Sequence, residues 1–206
     1  MKNSLVFKYR ALEPWAFLLD ILVNKRLYAA SFQSLNDPME GAFTYSQDKT
    51  SPSFIEQMRG RKARLKICSL SKVYNSTVMW SYYAAAHKGI VIGAEINRND
   101  PDIVEVKGVT YAKNNVFRGF LGNDAETEAR KVLAKKLTAW KHEKEIRVFS
   151  RTEFVPVTIK KMYLGCQMPD TQKQLIRALM KKLDPLVNVE ELCREDLDSN
   201  VPENAI

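Results

Sequence analysis

Residues 140–150, WKHEKEIRVFS, constrain this chain more than any other stretch. A basic amphipathic run, AETEARKVLAKKLTAW, leads into them and ends at Trp140. Two carboxylates, Glu143 and Glu145, then stand two residues apart at the mouth of a predicted strand over 146–150. Side chains i and i+2 of a strand share a face, so Glu143, Glu145 and Arg147 point into one space, with Ile146 and Val148 behind them. Paired carboxylates repel, which raises the pKa of one of them unless cations or solvent compensate. Two readings stand side by side: a shared acidic site, or a solvated turn in which local Lys and Arg residues pair with the acids.

At 206 residues the chain is long enough to bury a real core as one domain. No apolar run approaches the roughly 18 residues that span a bilayer, and MKNSLVFKYRALEP lacks the apolar region of a secretory signal. Cys68, Cys166 and Cys193 are odd in number and without metal spacing, which fits a cytoplasmic protein. With His87 and His142 the only histidines, no Cys/His zinc site and no resident metal are expected. Net charge is +8 and uneven. Residues 190–206 hold six acids and one base, so the first 189 carry +13. The expectation is one α+β domain over 1–189 and an acidic, partly disordered tail over 190–206. Arg59, Arg61, Lys62, Arg64 and Lys66 make the densest basic patch, and the first four are the candidate nucleic-acid contacts, against a solubilising surface as the plain alternative.

In chain order, strands are predicted over 6–10, 27–32, 65–71, 90–96, 102–111, 144–151 and 159–165. Helices are predicted from Pro14, over 53–62, 78–86, 124–139 and 170–183, with Gly89 as the cap that stops the third. The segment SLNDPMEG over 34–41 reads as a forced turn, 44–52 as a mobile polar loop, and 119–122 as a loop. Strands outnumber long helices and do not alternate strictly with them, which favours α+β with a mainly antiparallel sheet over a doubly wound fold. Neither GxGxxG nor a Walker loop is present.

KYR near the start, LNDPMEG, ICSLS, MWSYYAAAHKG and WKHEKEIR together resemble the bacterial family called domain of unknown function 2971, over roughly residues 6–166. That family name implies no activity. A second resemblance does. Arg10 on the first strand, Ser69-Leu70-Ser71 ending a middle strand and Glu143-Lys144-Glu145 opening a later one are similar, in order, to the Arg–Ser–Glu branch of the ADP-ribosyltransferase superfamily. Leu70 stands where a Thr is usual. The likeness implies a split, mainly antiparallel sheet with flanking helices and NAD as substrate, cytoplasmic toxin or phage-defence activity, and a nucleic-acid or protein acceptor. It also implies restraint by an antitoxin or regulatory partner, and no membrane.

On that resemblance Glu145 and Glu143 are the expected catalytic pair. Arg10 would hold the pyrophosphate, Ser69 and Ser71 the ribose side, and Tyr9, Trp80 or Tyr83 would stack on nicotinamide, with His87 a further ligand contact. Two alternatives come from other classes. One is a non-catalytic nucleic-acid-binding or sensor module of a defence or toxin–antitoxin system. The other is a metal-dependent hydrolase built on Asp37, Glu40, Glu143 and Glu145.

Overall fold

The computed structural model describes residues 5–45, 50–114 and 124–198. The molecule is α+β. Its main sheet has the strand order β11-β10-β5-β1-β4-β9-β6, and the pairing is antiparallel except between β10 and β11. These strands are β1 (Val6–Arg10), β4 (Lys66–Ser71), β5 (Ile90–Ile96), β6 (Ile103–Gly108), β9 (Glu145–Ser150), β10 (Phe154–Leu164) and β11 (Asn188–Glu191). Two short strands edge it: β2 (Arg26–Tyr28) pairs with β10 and β3 (Ala30–Ser31) with β4. A separate parallel pair joins β7 (Thr110–Ala112) to β8 (Lys135–Leu137).

Alternation along the strands sorts the core by face. One face is continuously apolar. Ile90, Ile92, Ile146, Val148 and Met162 meet Leu18 and Leu22 of α1 (Trp15–Asn24) and Ile176 and Met180 of α5 (Asp170–Leu183). The other face is divided. At one side Ile67 and Phe149 pack on α2 (Pro52–Arg64) and α4 (Ala125–Leu133). At the other, Phe7, Tyr9 and Tyr163 pack on α3 (Thr77–Tyr83). Ser69, Ser71, Glu145 and Arg147 occupy this same face between the two clusters, because Ser69 pairs with Arg147 and Ser71 with Glu145.

Between β1 and β4 the pairing is confined to Phe7 opposite Ser71. Further along, β4 takes β3 as its neighbour instead. The sheet is therefore split at its centre, and Lys8 Nζ crosses the gap to donate to the Ser69 carbonyl at 2.9 Å.

Several elements differ from expectation for identifiable reasons. The amphipathic run over 124–139 is helical only to Leu133. Its last-turn Leu133 carbonyl accepts from Arg147 Nη1, and the chain then turns into β8 and a 3-10 helix, Thr138–Glu143. The strand expected over 102–111 breaks at Val109, whose N–H goes to the Glu145 carbonyl. Gly89 is not the left-handed cap of α3. Ala85, Ala86 and His87 have the positive φ, while a Cβ on Gly89 would sit 2.3 Å from the Arg10 carbonyl oxygen. Close approach explains this glycine.

The tail boundary expected at 190 falls inside β11. Beyond it Leu192 is buried, and Asp198 Oδ1 accepts from the Thr77 N–H at 3.1 Å. Residues 199–206, the loop over 119–122 and part of the polar loop over 44–52 lie outside the described residues. Among the described residues no helix is long and apolar enough to cross a membrane.

Candidate active site

The split between β1 and β4 opens on a cavity of about 270 Å³. Lys8 and Tyr9 line it from β1, Ser69 and Ser71 from β4, and Tyr83 from the end of α3. Glu143 and Glu145 close the remaining wall with Lys136 and Glu40. Glu40, Lys136, Glu143, Glu145 and Arg147 are all buried, Arg147 completely.

Glu143 and Glu145 do meet in one space, but not as neighbours on a strand. Glu143 ends the 3-10 helix and Lys144 is left-handed, with φ 44° and ψ 48°, so β9 begins only at Glu145. That turn leaves both carboxylates on the Lys136 amine, at 2.5 Å from Glu143 and 3.3 Å from Glu145. Glu40 is 3.4 Å from the same amine.

Arg147, two residues along the same strand face, forks onto two carboxylates at once. Its Nε and Nη2 reach Glu145 at 2.8 and 3.0 Å, and its Nη1 and Nη2 reach Glu40 at 2.8 and 2.6 Å. Burial leaves such groups intolerable unless each is paired, and here each is. Cations thus compensate the acids. Burial alone would raise the Glu145 carboxyl, but Arg147, then Lys136 and a Ser69 hydrogen bond, outweigh it and hold Glu145 below the usual carboxylate value. Burial would likewise lower Lys136, and the charges of Glu145, Glu143 and Glu40 outweigh it, so its pKa is raised.

The two acids differ in what remains open. Each carboxylate offers about four acceptor positions. Glu145 uses them on Arg147 twice and on Lys136. Glu143 accepts from Tyr83 Oη at 2.6 Å and from Lys136, which leaves it the freer of the pair. Its backbone is fixed as well, since Ser71 Oγ donates to the Glu143 carbonyl at 2.8 Å. Tyr111 Oη accepts the Glu145 N–H at 2.8 Å. Tyr83 is held protonated: burial first, then the hydrogen bond to Glu143, pushes its phenol well above the ordinary value.

Several expected residues stand elsewhere. Arg10 lies on the apolar-face side of β1, opposite Ile90, and its Nε bonds the Ala11 carbonyl; it does not line the cavity. Two residues earlier on β1, Lys8 is the cation that does. Trp80 is fully buried in the α3 cluster, with its Nε1 donating to the Tyr74 carbonyl at 2.7 Å. His87 stacks on Trp80, its Nε2 3.1 Å from Ser81 Oγ, away from the cavity. Tyr9 lines the cavity, but its hydroxyl is committed to Val73 and Ser76.

Lys62 is not a surface contact. It is buried, donates to the Gly41 carbonyl and lies 4.3 Å from the Phe32 ring, while Arg59, Arg61 and Arg64 are exposed. Three of the four acids of the metal-dependent alternative do converge, on an ammonium. The fourth, Asp37, accepts the Met39 N–H of its own turn. Among the described residues no group of His, Cys, Asp or Glu is arranged to hold a metal ion.

The residues unforeseen as site members are Lys8, Lys136 and Tyr111. Lys136 sits in a Lys-rich run that reads as solvated surface, and only its place nine residues before the second acid hinted otherwise. No family model, no curated protein and no solved structure matches the chain.

Proposed function

We propose that the cavity binds NAD and that the chain is an ADP-ribosyltransferase-like enzyme acting on nucleic acid or protein. The observation that carries this reading is the placement of Ser69, Ser71 and Glu145 on one sheet face, register-paired, at the split between β1 and β4. The reaction would break the bond between nicotinamide and the ribose C1′, with the bonding pair leaving on nicotinamide. Positive charge then develops on the ribose. Three buried carboxylates against two buried cations leave the network one negative charge in excess, which favours that charge.

In this reading Glu145, with Ser69 beside it on the cavity wall, accepts from the ribose 2′-hydroxyl. Glu143, with open acceptor positions, takes the proton of the acceptor nucleophile as it attacks C1′. Lys8, already on the β1 wall, supplies the phosphate contact expected of Arg10. An enzyme of this kind inside a cell would need a restraining partner.

The second reading, a nucleic-acid-binding module without catalysis, rests on the exposed arginines of α2. Nicotinamide release, followed with RNA, DNA and protein lysate as acceptors in turn, separates the two. The transferase reading requires release by the wild type and its loss in Glu145→Gln. Release that persists undiminished in Glu145→Gln would overturn the assignment of the acid.

A further inference from the structure

We propose that a second site, outside the cavity, binds the phosphate backbone of single-stranded nucleic acid. It is a groove of about 210 Å³ lined by Arg61, Arg64, Leu65, Val104, Glu126 and Arg151. Arg61 and Arg64 are three residues apart on α2 and share a helix face. Arg151 reaches the same groove from the turn after β9, so two separate elements supply the cations. All three arginines are exposed, above the buried Leu65.

The charge in the groove is poorly compensated. Glu126 is its one acid; its Oε2 is 3.7 Å from Arg61 Nη1, and its Oε1 already accepts from Arg130 at 3.1 Å. The Arg64 side chain makes no ion pair or hydrogen bond among the described residues. Arg151 is oriented by donation from Nη1 to the Pro101 carbonyl at 2.9 Å, with the rest of its fork open. Exposed guanidinium forks from two elements match successive phosphates along a strand better than one isolated anion. The +13 carried by the first 189 residues adds attraction at a distance.

The groove is at the other end of β9 from Glu145, about 20 Å away at roughly 3.3 Å per residue. Binding there does not rest on the NAD reading. The test is fluorescence anisotropy of a labelled single-stranded RNA, without NAD, across a salt series. Three phosphate contacts predict a slope of log K against log salt of about −2, and Arg64→Ala and Arg151→Ala should each flatten it by about 0.7. Arg59→Ala, on the same helix outside the groove, and Lys182→Ala, on the opposite side of the sheet, should leave the slope in place. The assay contains no NAD, which keeps a failure of the NAD chemistry separate. Absence of saturable binding, or control variants that flatten the slope as much as the groove variants, would overturn the proposal.

Discussion

The two ends of β9 carry the same residue types under opposite conditions. At its start Glu145 and Arg147 are enclosed with Glu40, Lys136 and Glu143, every charge bonded to another. Past its end Arg151 stands with Arg61, Arg64 and Glu126 in an open groove where pairing is loose. The difference lies in what a missing partner would cost. In the interior an unpaired charge cannot be solvated, so the network fixes positions and orientation. At the surface water replaces any lost partner, and the same side chains remain free for a ligand.

That contrast can be broken most directly at the arginines. Arg147→Met strands Glu40, Glu145 and the Leu133 carbonyl, and should cost about 3–5 kcal/mol in urea unfolding. Arg151→Met should change stability by less than about 0.5 kcal/mol. Comparable losses at both sites would erase the distinction.

Acid titration sharpens it next. Glu145 is held below its ordinary 4.5, so its contribution is present above that pH and is lost as pH falls through the lowered folded value. Lys136 is raised above 10.5, so its contribution is present below that pH and is lost only as pH rises through the raised value. Between these limits the two groups add no slope. Unfolding free energy followed below pH 4.5 should fall less steeply in Glu145→Gln than in the wild type. An unchanged slope would mean that Glu145 is not held ionised by its neighbours.

A smaller effect is expected at the cavity wall. Tyr83→Phe removes one hydrogen bond to the Glu143 carboxylate and should cost about 1.5 kcal/mol. The smallest is Arg61→Ala: Arg61 is exposed and its half-buried partner Glu126 is 3.7 Å away, so the expected change is under about 0.5 kcal/mol in the same unfolding assay.

Much of the fold was legible because periodicity reports burial. The strands through 6–10, 65–71 and 90–96 and the helix over 170–183 appear where apolar spacing puts them. The elements that were misread are those shaped by polar tertiary contacts. The run over 124–139 has a continuous helical pattern, yet it ends at Leu133, whose carbonyl meets Arg147 from β9. Nothing local in AKKLTAW announces a strand, because β8 owes its place to pairing with β7.

At the site, Glu143, Glu145, Ser69 and Ser71 were identifiable because each pair is close in sequence on one strand or its mouth. Lys136 was not, and Lys62, away from the cavity, was misread as a surface contact for the same reason: a buried lysine looks in sequence like a solvated one until its partners arrive from distant segments. Arg10 and Lys8 share a face of β1, and only the geometry of the split selects Lys8 as the cation that β1 brings to the cavity.

A calorimetric titration of NAD into the wild type and Lys8→Met tests the proposal that the cavity between β1 and β4 is an NAD site. Saturable binding at millimolar concentration or below, weakened in Lys8→Met, is the predicted result. Absence of binding by the wild type at millimolar NAD would contradict it, and the buried charges would then be architecture alone.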